Sequence, residues 1–197
     1  MEAEAVTKER SLASAARYGT VDEVRERLAV DGVDDVSDTG LPPIVAAISN
    51  ADGASRRAII DELLAAGADA SATTAPEGGN VLHVLLASRG LDTAEKAELV
   101  PRLIDAGADI NLRDGDGWRP LALMVKLRVP DTELAPLYDV VLDLDGLELT
   151  EPANPWDESV LDHARKLRQR ADLVGRIETY LSARGVDVPP RQDRKEG

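Results

Sequence analysis

Ala66-Gly67-Ala68-Asp69-Ala70 and Ala106-Gly107-Ala108-Asp109-Ile110 are near copies, and each directly follows an apolar run, Ile59 to Leu64 in one case and Leu99 to Ile104 in the other. Weaker echoes occur at Gly32-Val33-Asp34, Gly146-Leu147-Glu148 and Gly185-Val186-Asp187. The glycines at 32, 67, 107, 146 and 185 are 35, 40, 39 and 39 residues apart. A period of this size marks a helical solenoid, in which each unit buries its apolar face only by stacking on its neighbours.

A second landmark recurs in phase with the first. Gly40-Leu41-Pro42-Pro43-Ile44-Val45-Ala46-Ala47 aligns without gaps to Gly78-Gly79-Asn80-Val81-Leu82-His83-Val84-Leu85 and to Gly117-Trp118-Arg119-Pro120-Leu121-Ala122-Leu123-Met124. Asp157-Glu158-Ser159-Val160-Leu161-Asp162-His163-Ala164 is the fourth copy, and Ser11 to Gly32 supplies a first unit without the leading turn. Together these resemble the ankyrin repeat, in which G-x-T-P-L-H-x-A is followed, after a second helix, by L-L-x-x-G-A-D. The full T-P-L-H tetrad occurs nowhere, so the resemblance rests on phase and position. It implies an all-α ankyrin-repeat solenoid of about five helix-turn-helix units joined by hairpin-like loops. The units would span about 8–36, 37–74, 75–113, 114–152 and 153–188, between a flexible N-terminus at 1–7 and a disordered tail at 189–197.

Periodicity supports the same architecture independently. Apolar residues recur at i, i+3 and i+4 in each first helix: Leu12, Ala15 and Ala16; Ile44, Ala47 and Ile48; Leu82, Leu85 and Leu86; Leu121, Met124 and Val125. In the last unit the triplet becomes Leu161, Ala164 and Arg165, and the charge predicts a terminal face that meets water. Second helices are predicted over Val21 to Ala29, Ser55 to Ala66, Thr93 to Ala106, Thr132 to Leu144 and Ala171 to Ala183. Asp92 with Glu95 forms an N-terminal capping pair for the third of these. Pro101 and Pro136 fall inside predicted helices and are expected to kink them or displace their starts.

The chain has 197 residues, 43% of them hydrophobic, with no Phe, two Trp and three Tyr, so aliphatic side chains must fill the core. Such residues suit thin, closely stacked helical layers. Twenty-three basic against 37 acidic residues give a net charge of -14, a field that repels nucleic acid and anionic membranes. Cysteine is absent, which removes disulfides, thiolate metal sites and a Cys nucleophile and fits a reducing compartment. No N-terminal apolar stretch resembles a signal peptide and no apolar run is long enough to span a bilayer, so a cytoplasmic protein is expected. Eighteen of the 23 basic residues are Arg, a balance that GC-rich codons favour and that points to a bacterial source.

No catalytic motif accompanies the two histidines. His83 takes the histidine slot of the repeat, where the resemblance implies a ring that holds backbone groups between neighbouring hairpins. His163 is expected to be a solvated or edge residue. Asp114-Gly115-Asp116-Gly117 suggests calcium until ligand spacing is tested: with Gly117 at the sixth loop position, Leu112 and Leu123 would fall at the first and twelfth, and neither coordinates a hard cation. A hairpin turn is the better account. Phosphate loops, dinucleotide fingerprints and nucleophile elbows do not occur. A non-enzymatic protein with no metal and no cofactor is expected, and an enzyme using surface carboxylates is the rival from another class.

In ankyrin proteins partners are held by the hairpin tips and the inner-helix face. Mapped onto this chain, those positions hold Arg17 and Tyr18 in the first unit, Asp38 in the second and Glu77 in the third. The fourth unit contributes Asp116, Trp118, Lys126 and Leu127, and the fifth Trp156, Glu158 and Lys166. Both tryptophans belong to this set, and exposed aromatics are common interface anchors. The sequence therefore predicts a protein-binding module, monomeric when free, that takes a partner with a basic surface through its concave face and tips. A stoichiometric inhibitor of the immunity type is one subclass, and an adaptor, assembly factor or accessory subunit of an enzyme is the alternative.

Overall fold

The computed structural model of the chain describes residues 10–36 and 40–190. These residues are all-α, with ten α-helices, a 3-10 turn at Arg168–Arg170 and no strand among them beyond one isolated bridge between Pro152 and Ser159. The chain divides into two compact units, Met1–Asp69 and Ala70–Gly197. The first holds two helix pairs, α1 (Leu12–Tyr18) with α2 (Val21–Leu28) and α3 (Pro43–Ile48) with α4 (Gly53–Ala65). The second holds three: α5 (Val81–Ala87) with α6 (Thr93–Asp105), α7 (Pro120–Val125) with α8 (Asp131–Leu142), and α9 (Val160–Arg165) with α10 (Ala171–Ala183).

Within each unit the short first helices pack on one another and so do the long second helices. Thus α1 meets α3 and α2 meets α4, while in the second unit α5, α7 and α9 form one layer and α6, α8 and α10 the other. Every apolar residue of the predicted first-helix triplets is exposed by 3% or less, as a helix buried on one stripe between neighbours requires. The copied Ala-Gly-Ala-Asp segments are the stops of α4 and α6. Gly107 has φ +102, its amide donates to the Ile104 carbonyl, and the Ala108 amide donates to the Leu103 carbonyl. Gly67, with φ +87, repeats the arrangement with Leu64 and Leu63. Both are Schellman caps, in which the left-handed residue is glycine because a Cβ there is strained. Asp92 caps α6 by accepting from the Glu95 amide at 2.7 Å.

Buried cations satisfy the other ends of the first helices. Arg56 donates to the Asn50 carbonyl just past α3, and Lys96 to the Ser88 carbonyl just past α5. Burial pulls the Lys96 ammonium down to about 8, against the opposing pull of Asp92. Arg170 is fully buried and donates to the carbonyls of Val125, Leu127 and Val129 at the end of α7. Helix ends leave such carbonyls unpaired and electronegative, so a cation there is doubly favoured.

Pro101 and Pro136 lie inside continuous helices and do not displace their starts; for Pro136 the carbonyl that loses its donor is that of Thr132, an exposed residue whose carbonyl can turn to water. Two other expectations need correction. Arg165 does not mark a solvated face: its side chain is 9% exposed and donates to Glu178 Oε1 and to the Pro189 carbonyl. Pro189 is therefore docked rather than loose. The expected flexible start at 1–7, the tail from 191 onward and Asp38 lie outside the described residues.

Candidate functional site

In the second unit the loops before α5, α7 and α9 form three hairpin tips, and the sequence makes them stiff. Asp114 Oδ1 accepts from the amides of Asp116 (3.1 Å) and Trp118 (2.7 Å). Forty residues on, Asn154 Oδ1 accepts from Trp156 (3.0 Å) and Glu158 (3.1 Å). One short polar side chain thus closes each turn on its own backbone, the local bonding at which Asx residues excel. The carboxylate of Asp114 is committed to that task, in line with a hairpin rather than a cation loop. Among the described residues no group of three or more His, Asp or Glu is arranged to hold a metal ion.

The tips are also tied to one another. The Gly115 amide donates to the Glu77 carbonyl at 2.6 Å, and a Cβ on Gly115 would come within 3.0 Å of that oxygen. Arg113 donates from Nε to the Gly117 carbonyl and from Nη2 to both the Asn154 carbonyl and Asp157 Oδ1. His83 reaches across as well: its Nε2 lies 3.1 Å from the Trp118 carbonyl and its Nδ1 accepts from the Asn80 amide at 3.1 Å. Nδ1 also lies 3.0 Å from Asn80 Oδ1, so the ring joins the start of α5 to the next tip.

On this frame the two indoles meet edge to face, 5.6 Å apart at 85°, a favoured aromatic geometry. Their situations differ. Trp118 is half-buried: the Lys126 ammonium lies 3.8 Å above its ring and the His163 ring stands against it at 84°. Trp156 is 66% exposed. Beneath the pair, Glu158 accepts from Asn154, His163 and Lys166. Burial works against its charged form, but those hydrogen bonds outweigh it and hold the carboxyl down at about 2. His163 is therefore half-buried and bonded rather than solvated.

The fold is a known one. The crystal structure of a functionally unknown protein from Leptotrichia buccalis C-1013-b matches it with a TM-score of 0.70 at 20% identity, over 90% of this chain and 96% of that one. In all, 364 chains among solved structures match, so the architecture is widespread and says nothing by itself about activity. No protein-family profile matches the sequence, and no curated protein does. No helix of the described residues is long and apolar enough to cross a membrane.

Of the residues named from sequence, Asp116, Trp118, Lys126, Trp156, Glu158 and Lys166 are carried on the tips and first-helix ends of the second unit. Leu127 is a correction: it is 3% exposed and packs in the core, with its carbonyl bound to Arg170, so it offers a partner no surface. Arg17 and Tyr18 belong to the first unit, at the end of α1, where the guanidinium lies 5.1 Å from a ring that is 66% exposed. Sequence reasoning missed Asn154 and Arg113. The 40-residue spacing of Asn154 from Asp114 is the signal that would have found the first, while nothing local marks Arg113 as a clamp between tips.

The burial of His83 carries a pH dependence. Burial lowers its pKa from the ordinary value, against the pull of the Trp118 carbonyl. A histidine with a folded pKa below its unfolded value of about 6.5 binds more protons when unfolded, so stability is full above that pH and falls as the pH drops. The melting temperature is expected to decline between about pH 7 and 5.5, a range above most carboxylate titration. In His83→Gln the decline should be shallower, with His163 common to both proteins; identical slopes would refute the assignment.

Proposed function

We propose that the chain is an ankyrin-repeat protein that acts without catalysis, binding another protein through the hairpin tips of its second unit, with an immunity-type inhibitor as the favoured subclass. The observation that carries this is Trp156. A large apolar ring is left 66% exposed on a backbone held by Asn154 and a neighbouring ring, and Asp157, next to it, has φ +56, a conformation uncommon outside glycine. A rigid exposed indole buries much area at small entropic cost, as interface hot spots do. The same tips and helix ends carry charged groups, Asp116, Asp157 beside it in the chain, Lys126 over Trp118 and Lys166 on Glu158, the make-up of the polar rim of an interface. The in-phase repeats, Schellman stops and bridging His83 support the ankyrin assignment.

A photo-crosslinking residue at position 156, compared with one at Thr179 on α10, identifies the partner by its position-specific adduct, and titration of that partner measures the site. Trp156→Ala is expected to weaken binding by about 2 kcal/mol or more, roughly thirtyfold, with the melting temperature nearly unchanged. Trp118→Ala should lose both binding and stability, because its half-buried ring also packs on His163 and under the Lys126 ammonium. Undiminished affinity in Trp156→Ala would remove the site.

A further inference from the structure

The residues just before the left-handed position of each tip are in register: Glu77 precedes Gly78 (φ +70), Asp116 precedes Gly117 (φ +87) and Trp156 precedes Asp157 (φ +56). All three are exposed, and the tips that bear them touch, through Gly115 against the Glu77 carbonyl and through Gly117 beside Pro155. The result is a ledge of two carboxylates followed by an indole. Cations close to it are engaged elsewhere: Arg113 with Asp157, Lys166 with Glu158 and Lys126 over Trp118. Neither Glu77 nor Asp116 has an ion pair among the described residues.

We infer that this ledge, as the contact surface of the proposed interaction, receives an extended arginine-bearing segment of the partner, with arginine at every third residue. Neighbouring packed helices lie about 8–10 Å apart, so the tips before α5, α7 and α9 repeat at about that distance. In a polyproline II segment every third side chain returns to the same face after about 9 Å. One guanidinium then stacks on the open face of Trp156 and the next two meet Asp116 and Glu77. Arginine fits better than lysine, since its planar group both stacks on an indole and pairs bidentately with a carboxylate. The net charge of -14 draws such a segment in.

The test uses the full chain and labelled peptides with three arginines at every third position in a proline-rich background, read by anisotropy and by tryptophan fluorescence at low salt. The wild type should bind this peptide at least fivefold more tightly than one with the arginines at every second position, and more tightly than the lysine version. Trp156→Ala should weaken it tenfold or more and erase the preference for arginine over lysine. Asp116→Asn should weaken it about threefold, and Trp156→Phe should restore part of the loss. Equal affinity for the two spacings, or an indifferent Trp156→Ala, overturns the inference. If the crosslinked partner loses affinity in Trp156→Ala while the spaced peptide neither binds nor competes, the inference falls and the proposed function stands. If the partner itself is indifferent to Trp156→Ala, the proposed function falls.

Discussion

Arg170→Met is expected to cost about 3–5 kcal/mol of unfolding free energy, the penalty for removing one partner of a buried, hydrogen-bonded ion pair. The side chain is fully buried and joins three carbonyls at the end of α7 to Asp131 at the start of α8. Asp131 has its own further duties: Oδ1 accepts from the Tyr138 hydroxyl at 2.8 Å, and Oδ2 accepts from the amide of Asp172, capping α10 from a different helix. Methionine fills the volume but leaves the three carbonyls without the guanidinium donor and a largely buried carboxylate without its cation. Guanidinium unfolding measures the loss. A double-mutant cycle with Asp131→Asn separates the pair, and a coupling near zero would show that Arg170 acts through the helix carbonyls alone. A total loss under about 1 kcal/mol would refute the role altogether.

Leu82→Ala is expected to cost about 2–5 kcal/mol, the range for truncating a fully buried leucine. Leu82 is 0% exposed on α5, which packs against both α6 and α7, so the cavity opens between layers rather than at an edge. The denaturation midpoint should fall with little change in the slope, because the surface exposed on unfolding is nearly the same. A cost under about 1 kcal/mol would mean that the layers close over the gap.

Leu82 and Arg170 also divide what was legible in the sequence from what was not. The i, i+3, i+4 pattern is enough by itself to mark Leu82 as core. Arg170 carries no such mark, because a charged residue at the start of a helix reads as solvated. Its burial follows from carbonyls more than 40 residues away that need a donor. Arg165 misled for the same reason, being held by Glu178 and the Pro189 carbonyl. Leu127, read as surface from its place after the first helix, turns inward because the chain there bends around Arg170.

At the tips the division is finer. The repeat phase alone brought Trp118 and Trp156 to neighbouring hairpins, since units that stack in register put equivalent positions side by side. Local chemistry determined the helices, their glycine stops and the turns closed by Asp114 and Asn154, because each depends on residues a few positions apart. Which indole faces water was decided only by tertiary structure. Trp118 is covered by Lys126, by His163 and by Trp156, groups spread over almost a full repeat, and Trp156 is left open because no further hairpin follows it among the described residues. Burial is a property of what arrives from elsewhere in the chain, and a linear pattern records only the side a residue is on.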